Sequence, residues 1–180
     1  MTTSRDELFT YLDALGISHN TVEHREIFAV EDGEDIKNNL PGGHSKNLFL
    51  KDKKGKLFLV SALGVTKIKL NQLHKVLDCA RLSFASADLM QRVLGVTPGS
   101  VTAFALINDP KGKVTFVLDK ALLETDPVNF HPLKNNATTA ISVKDLVLFA
   151  NKTNHEPVLL DFVANDGKAA LVLNENKLHL

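Results

Sequence analysis

A β-hairpin is predicted by the sequence Asn47-Leu48-Phe49-Leu50-Lys51-Asp52-Lys53-Lys54-Gly55-Lys56-Leu57-Phe58-Leu59-Val60-Ser61-Ala62. Two apolar runs flank a polar turn that contains a glycine, which adopts a positive φ at little steric cost. Alternation along the first run places Lys46 on the same face as Leu48 and Leu50. We therefore expect the Lys46 ammonium at the mouth of a pocket rather than in bulk water.

Further elements are predicted on both sides of this hairpin. Ser4 and Glu7 form a capping-box pattern that opens a helix to Leu15, and Ser86 caps another helix that Gly95 ends. The remaining patterns predict a helical turn at 31–35, a helix at 70–77, a helix from a capping box at Ser142 and Asp145, and strands at 19–24, 81–85, near Asn129, 137–141 and 158–163.

A second hairpin is predicted from the apolar runs 101–108 and 113–119, which flank Asp109-Pro110-Lys111-Gly112. Strands and helices mix along the chain without a regular β-α-β order. We therefore expect an α+β fold. The length of 180 residues suits one domain with a sizeable core.

Charge is balanced in total but uneven along the chain. Twenty-one basic side chains match 21 acidic ones, which argues against a protein that coats nucleic acid by bulk charge. Residues 1–45 carry three basic and nine acidic groups, whereas residues 46–75 carry eight lysines and one acid, a net charge of +7. Such a block attracts phosphates, although it equally suits a solvated hairpin edge.

Compartment signals favour the cytoplasm. No run approaches 18 apolar residues, and residues 1–7 lack the apolar segment of a secretory signal. The single cysteine, Cys79, cannot form an intrachain disulfide, which suits a reducing environment. We expect a cytoplasmic protein without a membrane-bound part.

Familiar catalytic templates are absent from the sequence, which has no G-x-S-x-G, H-E-x-x-H, Walker A or G-x-G-x-x-G pattern. The seven histidines show no pair at metal-ligand spacing, and His19 with His24 is a weak zinc signal. We expect neither a metal nor an organic cofactor.

Three loops carry the polar groups that remain. In the first, Gly42 and Gly43 precede Lys46 and permit a close backbone approach to a ligand. The second runs from Leu94 to Thr102, and its backbone N–H groups are suited to holding an anion or a carbonyl oxygen. The third, 130–140, places hydroxyl and amide groups beside a histidine. Together they indicate a polar pocket.

The order of these motifs resembles a known family. Gly42 to Lys53, Gly95 to Thr102, His131-Pro132 and Asn136 to Ala140 are similar to segments of the YbaK and prolyl-tRNA synthetase editing domains, and most similar to the free-standing ProXp-ala (PrdX) group. The likeness implies a single α+β domain with a mixed, barrel-like sheet over residues 1–163, followed by an extension of unknown role at 164–180. It also implies an enzyme that hydrolyses alanine mischarged onto proline tRNA.

The resemblance also implies site residues. Lys46 corresponds to the functional lysine of the family, and substrate-binding positions are expected at Asn47, Gly99, Ser100, His131, His44 and Thr138. We expect the N–H groups of residues 99 and 100 to hold the ester carbonyl. Apolar residues are expected to set the size of the accepted amino acid, with Val22, Ile27, Phe28 and Leu63 as candidates.

The implied partner is the acceptor end of proline tRNA, with neither DNA nor a membrane as a partner. The exposed lysines expected to hold the tRNA are Lys51, Lys53, Lys54 and Lys56. Prolyl-tRNA synthetase or an elongation factor stays open as a further partner. Two alternatives also remain: a Cys-tRNA(Pro) deacylase of the YbaK type, and a non-catalytic module that binds tRNA or regulates.

Overall fold

The α+β fold class is confirmed by the computed structural model, which describes residues 2–27, 33–162 and 170–171. The strands are β1 Asn20–Glu23, β2 Gly43–Asp52, β3 Leu57–Leu63, β4 Leu82–Phe84, β5 Val114–Asp119, β6 Val128–Phe130, β7 Ala137–Ile141, β8 Val158–Asp161 and β9 Ala170–Leu171. The helices are α1 Arg5–Ala14, α2 Glu34–Lys37, α3 Leu70–Val76, α4 Ala87–Leu94, α5 Lys120–Leu123 and α6 Val143–Lys152.

The strands form one mixed sheet in the order β1-β7-β6-β2-β3-β5-β8-β9, and β4 pairs with β2 off this path. Strand β2 is antiparallel to β3 and parallel to β6, while β5 lies parallel to both β3 and β8. The predicted hairpin is therefore confirmed, and it forms the centre of the sheet.

Side chains of β2 pack on both faces of the sheet. Phe49 belongs to the larger core, which includes Phe104 and Phe116, whereas Leu50 belongs to a smaller core with Phe58 on the opposite face. The alternation predicted from the sequence thus separates the two cores.

Asp52, the last residue of β2, closes the hairpin turn. Its carboxylate accepts the N–H groups of Lys54 and Lys56 at 2.8 and 2.9 Å.

The prediction of a second hairpin is wrong. Residues Ala103–Asn108 form a 3-10 helix that begins at a cap, because Thr102 Oγ1 accepts the N–H of Phe104. Only the following run is a strand, and β5 pairs with β3 and β8 rather than folding back on the preceding segment. Residues 103–106 are all buried, so this continuous apolar run fills the core without the alternation that one-sided burial of a strand produces.

Two smaller expectations concern Ser142 and the pair Gly42 and Gly43. The capping box at Ser142 is only half formed: its hydroxyl accepts the N–H of Asp145, but the Asp145 carboxylate bonds the hydroxyl instead of the backbone. A Cβ on Gly42 would lie 2.0 Å from the Pro127 carbonyl oxygen, and one on Gly43 would lie 2.0 Å from Thr125 Oγ1. These glycines therefore let two parts of the chain approach each other, and their expected approach to a ligand stays a prediction.

No helix among the described residues is long and apolar enough to cross a membrane. The predicted turn at 31–35 begins outside the described residues, whereas α2 covers 34–37. Of the extension at 164–180, only Ala170–Leu171 is described, and it pairs with β8. The boundary at residue 163 stays a prediction.

Candidate active site

A cavity of about 320 Å³ lies where the sequence predicted a pocket. Six of the seven predicted site residues line it: His44, Lys46, Asn47, Gly99, His131 and Thr138. These residues come from β2, the loop after α4, the segment after β6, and β7. The fold thus brings together positions that are separated by more than 90 residues in the sequence.

Ser100 is the predicted site residue that does not line the cavity. It is only 4 % exposed, and its N–H donates to the carbonyl of Thr97 at 3.0 Å. The expectation that this N–H would hold a substrate carbonyl is therefore wrong, because the turn already uses it. Gly99 does line the cavity, with a φ of 86° that favours glycine.

The cavity borders a gap in the pairing of β2. On the edge opposite β3, residues 43–44 pair with β6 and residues 50–52 pair with β4. Between them, residues 45–49 meet no strand of the described part of the chain on this edge. Residues 45–48 line the cavity, so the site lies in the gap between β6 and β4.

The backbone of Asn47 points into this gap. The N–H of Gly43 donates to Pro127, and the carbonyl of Phe49 accepts from Ala85, so odd-numbered residues of β2 direct their polar groups to this edge. The carbonyl of His44 instead accepts from Gly64 on the β3 side. Because backbone direction alternates along a strand, the Asn47 N–H faces the cavity edge.

Lys46 is half-buried, and its ammonium donates to the carbonyl of Thr66. The Thr66 hydroxyl in turn donates to Asp119 Oδ2 at 2.6 Å, and both of these residues are buried. Burial lowers the pKa of Lys46, and the nearby charge of Asp119 opposes that shift. The result is a half-buried cation held in place by a chain of hydrogen bonds.

Hydrogen bonds also fix the side chain of Asn47. Its Oδ1 accepts from the Ser61 hydroxyl at 2.6 Å, and its Nδ2 donates to Ser45 Oγ at 3.2 Å. Ser45 then donates to the carbonyl of Asn129 at 2.8 Å. This network ties β2 to β3 and β6 beside the gap and keeps the cavity wall in register.

His131 presents one nitrogen that can accept a hydrogen bond. Its Nδ1 lies 2.9 Å from the Ala137 carbonyl oxygen, which can only accept, so Nδ1 carries the hydrogen and Nε2 has a lone pair in the neutral ring. Burial lowers the pKa of His131, the hydrogen bond to Ala137 opposes that shift, and the charges of His24 and Lys37 add to it. The ring is thereby kept neutral near physiological pH.

His24 and His44 support the cavity wall. His24 Nδ1 lies 2.6 Å from the carbonyl oxygen of Arg25, so its Nε2 accepts from the Thr138 hydroxyl at 2.8 Å in the neutral ring. The His44 Nε2 lies 3.1 Å from the Leu40 carbonyl oxygen, to which it donates. In the part of the chain that the structure describes, no three His, Cys, Asp or Glu side chains cluster as metal ligands.

The apolar wall differs from the expected one. Ile27 lines the cavity as predicted, but Val22 is exposed and lies elsewhere, Leu63 packs against the larger core, and Phe28 lies outside the described residues. The other apolar lining residues, absent from the sequence prediction, are Ile36, Leu48, Val101 and Phe130. No local pattern distinguishes them from core residues, because their placement depends on how distant segments meet.

The predicted tRNA-binding lysines lie at the other end of β2. Lys51, Lys53, Lys54 and Lys56 are exposed at or beside the hairpin turn. Asp52 is six positions after Lys46 in β2, which corresponds to roughly 20 Å at about 3.3 Å per residue. These lysines can therefore meet only parts of a ligand that extend well beyond the cavity.

Comparison with known proteins connects this geometry with a family. The family model described as "Aminoacyl-tRNA editing domain" matches residues 24–149. "Prolyl-tRNA synthetase associated domain-containing protein 1" of Mus musculus is 43% identical over 163 residues, which cover 88% of this chain and 96% of that protein. "Prolyl-tRNA editing protein ProX" of Acetoanaerobium sticklandii is 36% identical over 144 residues, covering 79% and 88% of the two chains.

A solved structure gives the same result for the fold. The crystal structure of a candidate trans-editing enzyme for prolyl tRNA synthetase aligns with a TM-score of 0.65 at 16% identity, over 87% of this chain and 96% of that one. The family match covers every residue that lines the cavity. The chain thus belongs to the aminoacyl-tRNA editing domain family.

Proposed function

We propose that this protein is a free-standing deacylase that hydrolyses mischarged Ala-tRNA(Pro) to alanine and tRNA(Pro). The observation that carries the proposal is the cavity itself, which gathers a half-buried lysine, a neutral histidine and an unpaired strand edge. The names of the relatives connect those proteins with prolyl-tRNA, which supports the same tRNA here. A role in translation also supports a cytoplasmic location.

The reaction needs little from the protein, because an aminoacyl ester is already activated. Water attacks the ester carbonyl carbon, and the carbonyl oxygen becomes an oxyanion. The tetrahedral intermediate then breaks the bond to the terminal ribose oxygen, which takes up a proton and leaves as a hydroxyl. The products are alanine and tRNA, so the protein has to position water and stabilise negative charge.

Lys46 supplies positive charge at the cavity. A cation that is partly removed from water interacts more strongly with a developing oxyanion or with the terminal phosphate. Its hydrogen bond to Thr66 holds the ammonium in one position while leaving further N–H donors for the substrate. This role is electrostatic and does not require a neutral, nucleophilic amine.

The Asn47 N–H is our candidate donor to the oxyanion. It points into the gap between β6 and β4, whereas the N–H of Ser100 is already bonded within its turn. A backbone donor in a rigid strand needs no reorganisation during the reaction. Gly99 also lines the cavity and is suited to contact the terminal nucleoside.

His131 Nε2 is our candidate acceptor for the attacking water or for the terminal ribose hydroxyl. The Ala137 carbonyl fixes the tautomer that leaves this lone pair available. A histidine whose pKa is lowered by burial is a weak base but an effective hydrogen-bond acceptor at neutral pH. A substrate that lacks this ribose hydroxyl tests its role, and an unchanged rate would exclude the hydroxyl as a catalytic group.

A substrate panel tests the proposed function. Release of amino acid is measured from Ala-tRNA(Pro), Cys-tRNA(Pro), Pro-tRNA(Pro) and Ala-tRNA(Ala) under identical conditions. The proposal predicts the fastest release from the first substrate. Faster release from Cys-tRNA(Pro) would establish the YbaK-type activity instead, and binding of proline tRNA without any release would establish a non-catalytic module.

A further inference from the structure

A second groove lies on the side of the molecule formed by α3 and β4. Its volume is about 470 Å³, and its walls are Asn71, Gln72, His74, Lys75, Arg81 and Leu82. Five of these six side chains carry amide, imidazole or cationic groups. None of the residues that line it belongs to the cavity around Lys46.

The two cations of the groove are available to a ligand. Lys75 and Arg81 are both exposed, and neither has an ion-pair partner within residues 2–27 and 33–162. Asp78 lies between them in the sequence, and Asp52 lies opposite Leu82 in the pairing of β2 with β4. The Asp52 carboxylate is buried and accepts the N–H of Ala80 at 3.1 Å, so its charge is directed inward.

The groove continues the positive surface of the lysine turn. Strand β4 pairs with the end of β2, with Leu82 opposite Asp52 and Ser83 opposite Lys51. Arg81 therefore lies beside the turn that carries Lys53 and Lys54. Residues 46–81 contain nine lysine or arginine residues and two acids, so positive charge extends from the cavity along β2 and onto α3.

We propose that this groove binds backbone phosphates of the tRNA body while the aminoacyl end occupies the cavity. The inference rests on the proposed function, since it takes tRNA as the ligand. Amide and cationic side chains are the usual contacts to phosphate and sugar, and they carry no sequence information. At roughly 20 Å from Lys46 along β2, such contacts reach the body of the RNA and not its terminal nucleotide.

The test measures binding of a labelled, unacylated proline tRNA transcript by fluorescence anisotropy between about 50 and 200 mM salt. The double variant Lys75→Ala/Arg81→Ala is expected to bind more weakly, and its log–log salt slope should fall by about 1.4 to 1.8 for two lost phosphate contacts. The charge-conserving Lys75→Arg/Arg81→Lys variant should retain most of the slope. Lys144→Ala/Lys152→Ala, which removes two exposed cations of α6, is the matched control.

Unchanged affinity and slope in the alanine double variant would overturn the proposal, as would an equal loss in the α6 control. Loss of binding to prolyl-tRNA synthetase with tRNA affinity intact would also overturn it, because the groove would then be a protein interface. The readout uses unacylated tRNA, so it does not depend on hydrolysis. If the substrate panel showed no release of alanine, the proposed deacylase function would be wrong, but the tRNA-binding result would still test the groove.

Discussion

Lys46 and Asn47 are consecutive residues of β2, yet both border the same cavity. Successive side chains of a strand point to opposite faces, so two neighbours rarely serve one site. Here the cavity lies at the strand edge, in the gap between β6 and β4, so residues whose side chains belong to both faces border it. The cavity is thus lined by a lysine whose ammonium is held at Thr66, after β3, and by a strand edge whose backbone donor faces away from β3.

The backbone donor can be removed without changing a side chain. Replacing the backbone amide of Asn47 with an ester, by incorporation of the corresponding α-hydroxy acid, deletes the N–H and weakens the Lys46 carbonyl oxygen as an acceptor, while every side chain stays the same. We expect kcat for Ala-tRNA(Pro) to fall by about 10²- to 10³-fold with little change in KM, as for other oxyanion donors. The same replacement at Leu48, whose N–H faces β3, should lower Tm more than kcat, and an Asn47 ester with full kcat would contradict the assignment.

Stability should depend on pH through His131. Burial lowers its pKa in the folded state, so the unfolded chain binds the proton more readily. The free energy of unfolding should therefore fall as the pH decreases from about 6.5 through the folded-state pKa. Urea unfolding of wild type and His131→Gln across this range checks the sign, since the variant should show a flatter profile. The same pH dependence of the free energy of unfolding in both proteins would show that His131 does not contribute to it.

The size limit of the cavity should move with Ile36, which lines it from the short helix α2. Ile36→Ala enlarges the wall and should increase hydrolysis of Pro-tRNA(Pro) relative to Ala-tRNA(Pro) by about 10-fold or more, since one or two methylenes are worth 1–3 kcal/mol. Ile68→Ala, at a half-buried residue outside the cavity, should leave the ratio unchanged. Equal ratios in both variants would exclude Ile36 from substrate selection.

The lysine turn should act on tRNA binding more than on chemistry. Replacing Lys51, Lys53, Lys54 and Lys56 with alanine should weaken tRNA binding and reduce its log–log salt slope by about 0.7 to 0.9 for each lost phosphate contact. Single-turnover hydrolysis at saturating protein should stay near the wild-type rate, because these residues lie far from the cavity. A large loss of the saturated rate with unchanged affinity would contradict this division.

Much of the fold follows from local patterns. The capping box of Ser4 and Glu7 is present, with N–H bonds in both directions, and Gly95 ends α4 in the left-handed conformation. These signals lie within a few residues of the structure that they specify. The 3-10 helix after Thr102 was missed because an apolar run that is buried on every side has no alternation to distinguish helix from strand.

The site shows the same limit at longer range. The family resemblance predicted a common site for Lys46, Asn47 and His131, and all three line one cavity. It also placed Ser100 in that site, but Ser100 does not line the cavity. The support of Lys46 through Thr66 and Asp119 joins residues that are 53 positions apart in the sequence. The open edge of β2 depends on where β4 and β6 end, which no local pattern reports.

The central claim is that the Lys46 cavity hydrolyses Ala-tRNA(Pro), and single-turnover deacylation by wild type and Lys46→Ala tests it most directly. The account predicts release of alanine by wild type and a loss of at least about 100-fold in the variant, the scale of losing one oxyanion-stabilising group. Tm and affinity for unacylated tRNA should change little. Wild-type rates in a folded Lys46→Ala protein would contradict the account.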